Sequence, residues 1–340
     1  MNLNPSGYDY SMLLVTGGAG FIGSHVASRL IENGEKVLCF DNLSGGYRTQ
    51  VPKKSIFIKG SITNYRLLSA LFERYHFTHV FHLGAYAAEN LSHYIRRFNY
   101  SNNLIGSVNL INLSIKHNIK RFIFTSSIAV YGAGQTPFTE IMTPHPEDPY
   151  GIAKQAVELD LESACRFFGL HYTVFRPHNV YGEGQNLSDP HRNVVSIFMR
   201  QLLTGKPMSV YGTGSQTRAF TYIDDVSIPI ASCINLSHTK NQIYNIGADK
   251  PYTVKTVAYE VAKALGKKPQ IIFLKARKEV VHAFSDHSKI KKDFKIGDMV
   301  SLETGLQHMS HWARNQKIKT PKPFSHPELT YLQPQFSLPS

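Results

Sequence analysis

The hydrophobic pattern changes character about halfway along the chain. Up to about residue 176, short apolar runs rich in β-branched side chains alternate with longer segments of helical period. The runs at 12–16, 36–40, 55–59, 78–83, 121–126 and 171–176 predict strands, and the segments at 21–33, 65–75, 100–117 and 150–168 predict helices between them. That alternation predicts an α/β fold, a doubly wound parallel sheet covered on both faces. Such sheets carry functional groups at the C-terminal ends of their strands. Asp41, Ser61, residues 83–87, Ser126 with Ser127, and residues 177–179 stand at those ends. Beyond Tyr181, prolines, glycines and aromatics interrupt shorter elements, with helices near 193–203, 254–265 and 301–316 and a strand near 220–223. The expectation is a sheet domain over 12–180, joined by parts of 212–250, and a smaller mixed α/β lobe over most of 181–316. The polar start, 1–11, and the proline-bearing, aperiodic end, 317–340, are expected to be extended or disordered tails.

The first predicted strand runs straight into a glycine turn and a helix, read over 13–23 as Leu-Leu-Val-Thr-Gly-Gly-Ala-Gly-Phe-Ile-Gly. Strand, glycine turn and helix open a dinucleotide-binding unit. Gly17, Gly20 and Gly23 lie three apart, which suits positive φ, close approach of a pyrophosphate, or a helix packed tightly on its strand. The helix N-terminus adds free N–H groups and about half a positive charge. Asp41, after the second run, stands about where a carboxylate reaches the ribose diol, and it would repel a 2′-phosphate, so NAD is favoured over NADP. Arg48, a few residues on, argues the other way.

Composition changes this picture little. Hydrophobic (42%) and charged (18%) fractions over 340 residues suit a globular protein with a large core. The formal charge of +13, from 37 Lys and Arg against 24 Asp and Glu, favours anionic ligands, but no basic arm or aromatic–basic motif points to nucleic acid. Cys39, Cys165 and Cys233 are odd in number and widely spaced, with no metal-ligand pattern; Cys39 and Cys165 are expected to be buried reduced thiols. No apolar signal core or membrane-length run is present, so a cytoplasmic protein without metal or membrane partner is expected.

Three further stretches narrow the reading. Residues 125–132 read Thr-Ser-Ser-Ile-Ala-Val-Tyr-Gly after a strand, 150–154 read Tyr-Gly-Ile-Ala-Lys at a helix start, and 176–182 read Arg-Pro-His-Asn-Val-Tyr-Gly after the last strand. With the glycine turn, these resemble the extended short-chain dehydrogenase/reductase family in its sugar-nucleotide epimerase and dehydratase branch, over about residues 12–316. The resemblance implies a Rossmann-type domain, bound NAD, a UDP-sugar substrate and a homodimer formed through helices 100–117 and 150–168. The implied reaction is epimerisation at C4 of a UDP-hexose. Hydride passes from C4 to NAD⁺, the 4-keto sugar turns over, and hydride returns to its other face.

Tyr150 and Lys154, four apart, share one helical face. A phenol is a poor base at neutral pH, and lowering its pKa by about three units takes roughly 4 kcal/mol of differential interaction with nearby positive charge. The resemblance makes Tyr150 the acid/base, Lys154 its pKa modulator and ribose ligand, and Ser127 the hydrogen-bond partner of the substrate hydroxyl. It also bears on what is missing. Related dehydratases carry an Asp-Glu pair, and decarboxylases a Glu, where this chain has Ile128 and Ala129, which transfer no proton.

By the same resemblance, Phe21 and Ile22 line the pyrophosphate, Asn42, Ser44 and Gly45 lie near the adenosine, and Ser61 with Ile62 replaces a usual adenine-binding Asp. Leu83, Ala85 and Ala87 pass the nicotinamide side. Asn103 either steadies that edge or caps a helix. Pro177 and His178 replace an aromatic pair beside the cofactor, with His178 stacking or hydrogen-bonding. Asn179, Arg218 and Arg277 are matched to phosphate or sugar contacts, residues 203–212 to a loop whose backbone pairs with uracil, and Ala283 to a position where a small residue admits a 2-acetamido group. Glu89 stands where relatives are apolar, either on the sugar or solvated. Another UDP-sugar C4 redox enzyme, a UDP-uronate 4-epimerase and an NAD-binding sensor share these motifs.

Overall fold

In the computed structural model, which describes residues 11–276, 280–319 and 328–329, seven strands form one parallel sheet. They are β1 (Met12–Thr16), β2 (Val37–Asp41), β3 (Ile56–Lys59), β4 (Phe77–His82), β5 (Arg121–Thr125), β6 (Tyr172–Pro177) and β11 (Gln242–Ile246), in the order β11-β6-β5-β4-β1-β2-β3. Every pairing in it is parallel. The order reverses between β1 and β4, which opens a crevice at their C-terminal ends.

The continuous apolar runs follow from this arrangement. Alternate residues enter opposite cores: Leu14, Leu38, Phe122 and Phe124 face one, while Leu13, Val15, Cys39 and Ile123 face the other. With both faces covered, each central strand is apolar at successive positions. Helices α1 (Phe21–Glu32), α2 (Tyr65–Arg74), α3 (Glu89–Ser92), α4 (Arg96–Tyr100), α5 (Gly106–Lys116) and α6 (Pro149–Phe168) lie between the strands in chain order. The helix expected over 100–117 starts earlier, at Arg96, and passes through a π-helical turn at Ser101–Ile105. Asp41 is the last residue of β2 and not the first beyond it.

The second half contains more short strands than the one that the pattern predicts. Short strands β7 (Val180–Tyr181), β8 (Met208–Tyr211), β9 (Thr217–Ala219), β10 (Thr221–Tyr222), β12 (Pro251–Thr253), β13 (Ile271–Leu274) and β14 (His282–Ala283) form small sheets. They pack with α7 (Val194–Leu203), α9 (Val254–Ala264) and α11 (Leu302–Ala313) around a separate core that includes Phe198, Met199, Val257 and Leu306. The chain returns to the main sheet three times, as α8 (Ile223–Ser232), β11 and α10 (Ser288–Phe294), whose Val226, Tyr244 and Ile290 share the core of Val15. The strand expected near 220–223 is β10 alone, since Ile223 already begins α8.

Cys39 and Cys233 are buried, and burial pushes the Cys39 thiol up to about 11. Cys165 is only half-buried, because it lies near the open end of α6 beside exposed Phe167 and Phe168. Of the expected tails, residues 1–10, 320–327 and 330–340 lie outside the described residues. Glu328 is described: its carboxylate accepts from Arg97 N and Phe98 N, both at 2.8 Å, at the start of α4. Among the described residues no helix is long and apolar enough to cross a membrane.

Candidate active site

The site begins with two helix starts of opposite design. At α6, Asp148 caps the helix by accepting from Tyr150 N (2.9 Å) and Gly151 N (3.0 Å), Pro149 pre-sets the first turn, and Gly169 closes the far end in the left-handed conformation. This fixes the first turn that carries Tyr150 and, one turn on, Lys154. At α1 no side chain caps the N-terminus and no acidic residue occupies the first turn. The chain reaches it through Gly17, whose φ of +70° and approach to Gly84 exclude a side chain; a Cβ there would lie 2.7 Å from Gly84 Cα. A Cβ on Gly23 would lie 2.0 Å from Gly17 O, so helix and turn close on each other only with glycine.

The carboxylate of Asp41 holds that turn from the second strand. One oxygen accepts from Ala19 N at 3.1 Å and the other from Leu43 N at 2.7 Å. Asn42 accepts from Ser44 N, and Gly45 O accepts from Asn186 Nδ2 at 3.2 Å, so the rim of the crevice is tied to the 183–193 loop. Tyr47, Gln50 and His25 bond to the same loop at Asn186, Gly184 and Glu183. Arg48 is seated over the Phe57 ring, 4.5 Å from its centroid. Ser61 Oγ shares a hydrogen bond with Thr63 Oγ1 at 2.8 Å, while the Ile62 side chain packs on Gly106 and its carbonyl accepts from Asn109.

Across the crevice, Ser127 follows β5 in extended conformation and accepts from Ala129 N at 3.1 Å. The same hydroxyl acts on the Tyr150 phenol, where it favours the charged form. Lys154 Nζ donates to Thr125 O at 2.7 Å and lies 4.6 Å from the Phe124 ring centroid. Tyr150 (6% exposed) and Lys154 (2%) are both buried. Desolvation drives each towards its neutral form: the phenol's pKa is raised, with Glu89 adding to the rise and Ser127 opposing it, and the ammonium is pulled down to about 7. The three residues taken from the sequence as the chemical centre are therefore one contiguous group.

A hydrogen-bonded line beneath them was not visible in the sequence. Ser107 Oγ donates to Asn103 O (2.7 Å), so it accepts from His82 Nε2 (2.8 Å); His82 Nδ1 then accepts from Thr16 Oγ1 (2.7 Å), which takes Gly84 N–H at 3.3 Å. Burial keeps this imidazole neutral, with a pKa near 3. Leu83 N bonds to Thr16 O, and residues 84–87 continue along the crevice. Asn103 sits inside the π-helical turn and is no helix cap. Its amide clamps both the N–H (2.8 Å) and the carbonyl (3.1 Å) of Tyr86 and bonds to Asn99 (2.8 Å), which fixes the extended segment between Ala85 and Ala87 beyond β4.

The substrate-side residues gather around β9. Pro177 ends β6; the His178 ring is spent on Ala219 O and His287, so any hold on a cofactor falls to its backbone. Asn179, with φ of 41°, donates to Ala219 O at 3.2 Å. Arg218 bonds to the carbonyls of Thr217, Val280 and Val281, and Ala283 pairs with it in register while packing against the Ile128–Phe138 cluster. Arg277 lies outside the described residues. Residues 208–211 of the expected uracil loop form β8, paired with β13. Glu89 begins α3, and its charge, like that of Arg192, is felt at the Tyr150 hydroxyl. Arg192, on the 183–193 loop and paired with Asp189 at 3.0 Å, gave no sequence signal.

The arrangement fits NAD. An uncapped α1 leaves first-turn N–H groups for a pyrophosphate, and the buried Ser126 Oγ has no hydrogen-bond partner at the end of β5. Comparison with known proteins agrees. Residues 13–247 match the model of the NAD dependent epimerase/dehydratase family. The UDP-glucose 4-epimerase of Thermotoga maritima, solved with UDP-glucose, is 36% identical at a TM-score of 0.85, covering 89% of this chain and 98% of that one. The Thermus thermophilus UDP-glucose 4-epimerase, solved with NAD, is 29% identical at a TM-score of 0.83, over 89% and 99%. A UDP-glucuronate 4-epimerase of Thermodesulfobacterium geofontis is 32% identical over 88% of this chain and 95% of its own.

Proposed function

Because the chain belongs to the NAD-dependent epimerase/dehydratase family, we propose that it epimerises C4 of a UDP-hexose. The substrates are UDP-glucose and UDP-galactose and, through the small side chain at Ala283, UDP-N-acetylglucosamine and UDP-N-acetylgalactosamine. The observation that carries this reading is the buried group of Ser127, Tyr150 and Lys154, with the Lys154 nitrogen 5.7 Å from the Tyr150 ring centroid and only Ile128 and Ala129 following Ser127 where an acid would be needed for elimination.

The chain's own part is to hold ligands and move one proton. The first turn of α1 holds the pyrophosphate and Asp41 a ribose diol; Lys154 keeps ammonium N–H groups for the other ribose beyond the one given to Thr125. NAD supplies a hydride acceptor that becomes the donor on the return, so the net reaction is redox-neutral. Tyr150 takes the proton from the sugar O4 and later gives it back, and Ser127 fixes that hydroxyl between itself and the phenol. The Lys154 charge favours the phenolate against the cost of burying it. Asn179, Arg218 and Arg277 grip the UDP end, so that the sugar is free to turn.

A UDP-uronate is the second reading, and Arg192 favours it, since its positive charge reaches the Tyr150 hydroxyl. Glu89 acts on the same hydroxyl more strongly and with opposite sign, which supports the neutral hexose. Incubation with UDP-glucose, UDP-N-acetylglucosamine and UDP-glucuronate, with products followed by NMR, separates the readings. Turnover of the uronate alone overturns the first.

A homodimer is part of the proposal. Ile152 (39%) and Leu159 (58%), seven apart and hence on one face of α6, are exposed together with Ile105 (53%) at the neighbouring helix. Sedimentation analysis should give a dimer, and Leu159→Glu a monomer.

A further inference from the structure

A second side-chain relay, buried at its two imidazoles, joins four segments of the substrate side. His178 Nδ1 lies 3.1 Å from Ala219 O, and its Nε2 lies 3.0 Å from His287 Nε2. His287 Nδ1 lies 2.9 Å from Asp249 Oδ1, and Lys291 bonds to the other carboxylate oxygen. Both imidazoles are buried, and Gly247 closes the wall beside His178: a Cβ there would sit 2.3 Å from Nε2.

Proton bookkeeping fixes the charge of the pair: three protons on two rings make one of them an imidazolium. A carbonyl only accepts, so the His178 proton is on Nδ1 and points to Ala219. The Asp249 carboxylate touches His287, which places the positive charge on that ring, so His287 Nε2 donates into the lone pair at His178 Nε2. The Asp249 carboxylate also only accepts, so His287 Nδ1 carries a second proton. Burial and the neighbouring His287 pull His178 down to about 3, in line with its neutral role, and the hydrogen bond from His287 holds Asp249 near 2. The other groups around the pair are Lys291 on α10, the Asp286 carboxylate, which accepts from Ser288, and Thr221 Oγ1, which donates to His178 O.

We propose that His287 is a buried imidazolium, neutralised by Asp249, that acts as a positioning residue: through His178 it locks the loop after β6 onto β9 and so sets the rim that receives the sugar nucleotide. The relay holds Pro177 and Asn179 from one side, Ala219 next to Arg218 from a second, and the segment bearing Ala283 from a third. Its effect on turnover rests on the epimerase reading; its protonation pattern does not.

Nitrogen-15 NMR of histidine-labelled full-length protein at neutral pH tests the pattern directly. His287 should show two protonated nitrogens and His178 the neutral Nδ1–H tautomer. A coupling across the His178–His287 hydrogen bond in the unaltered protein would identify the pair without any variant. A neutral His287 overturns the proposal. In Asp249→Asn, the KM for the UDP-hexose should rise about tenfold, as expected for a weakened charged hydrogen bond, with kcat within about twofold. An unchanged KM in a variant that still turns over overturns the positioning role. Failure of the unaltered enzyme to turn over any UDP-hexose would instead overturn the epimerase reading, and the NMR pattern would still decide the relay.

Discussion

The Lys154 ammonium nitrogen lies 5.7 Å from the centroid of the Tyr150 ring, one helical turn away, and spends its short hydrogen bond on Thr125 O. In the proposed mechanism Lys154 would therefore act on the phenol through its charge, over a buried gap in which that charge is weakly screened. The same burial lowers its own pKa to about 7 and raises that of the phenol. With burial alone the phenol rests protonated, so the proposed role of Tyr150 as a base requires added positive charge.

Tyr150→Phe removes the proposed proton carrier and keeps the ring. Epimerisation should fall about 10²–10⁴-fold, while the purified variant retains its cofactor. An unaltered rate in the product assay would refute the assignment.

Lys154→Met should uncouple stability from activity. The folded pKa of about 7 lies below the unfolded value, 10.5. Between them the unfolded chain binds the extra proton, so stability climbs as pH rises from about 7 towards 10.5, and the full cost of the buried charge is present below 7. Thermal melts of cofactor-free protein should lose that slope in the variant and show it more stable at low pH by about 1–4 kcal/mol, with turnover abolished.

Arg176 and Glu158 form a buried two-pronged pair, Nε to Oε1 at 3.0 Å and Nη2 to Oε2 at 2.5 Å, and Arg176 also donates to Tyr131 at 2.7 Å behind Ser127. Glu158→Ala leaves a buried guanidinium without its carboxylate and should cost about 3–5 kcal/mol in denaturant unfolding.

Asp41→Ala removes two backbone hydrogen bonds as well as the proposed ribose ligand. NAD affinity should fall about 10–100-fold, the worth of charged hydrogen bonds. NADP should lose less than NAD, because the repulsion of a 2′-phosphate goes with the carboxylate, and Arg48, stacked on Phe57 by its face, keeps its N–H donors. Calorimetry with both cofactors reads this.

Ala283→Tyr should abolish turnover of UDP-N-acetylglucosamine and leave UDP-glucose within about threefold, because a steric filter acts on the larger sugar alone. Equal losses on both sugars would place Ala283 outside the sugar pocket.

Much of this was legible in one dimension because the information is local. Gly17 to Gly23, the Asp148 cap before α6 and the Tyr150–Lys154 spacing are each set within one turn of chain, and double-sided burial makes the central strands plain apolar runs. The short strands of the second lobe carry too few residues to show a period, and α8, β11 and α10 return to the sheet from within that lobe, so its texture did not reveal where they pack. His82 with Ser107, Arg176 with Glu158, and His178 with His287 and Asp249 are separated by 18 to 109 positions, with no local pattern to connect them.

The sequence by itself determined that a dinucleotide turn, a Ser-Tyr-Lys group and a parallel sheet belong together, because backbone conformation, helical spacing and strand burial are written in neighbouring residues. Only the tertiary structure decided which charges face each other. It set Lys154 dry beside Tyr150, seated Arg48 on Phe57, turned the His178 ring away from the crevice into His287, and brought Glu89 and Arg192 to bear on one hydroxyl. Electrostatics depends on distance and burial, and both are set when the chain closes on itself.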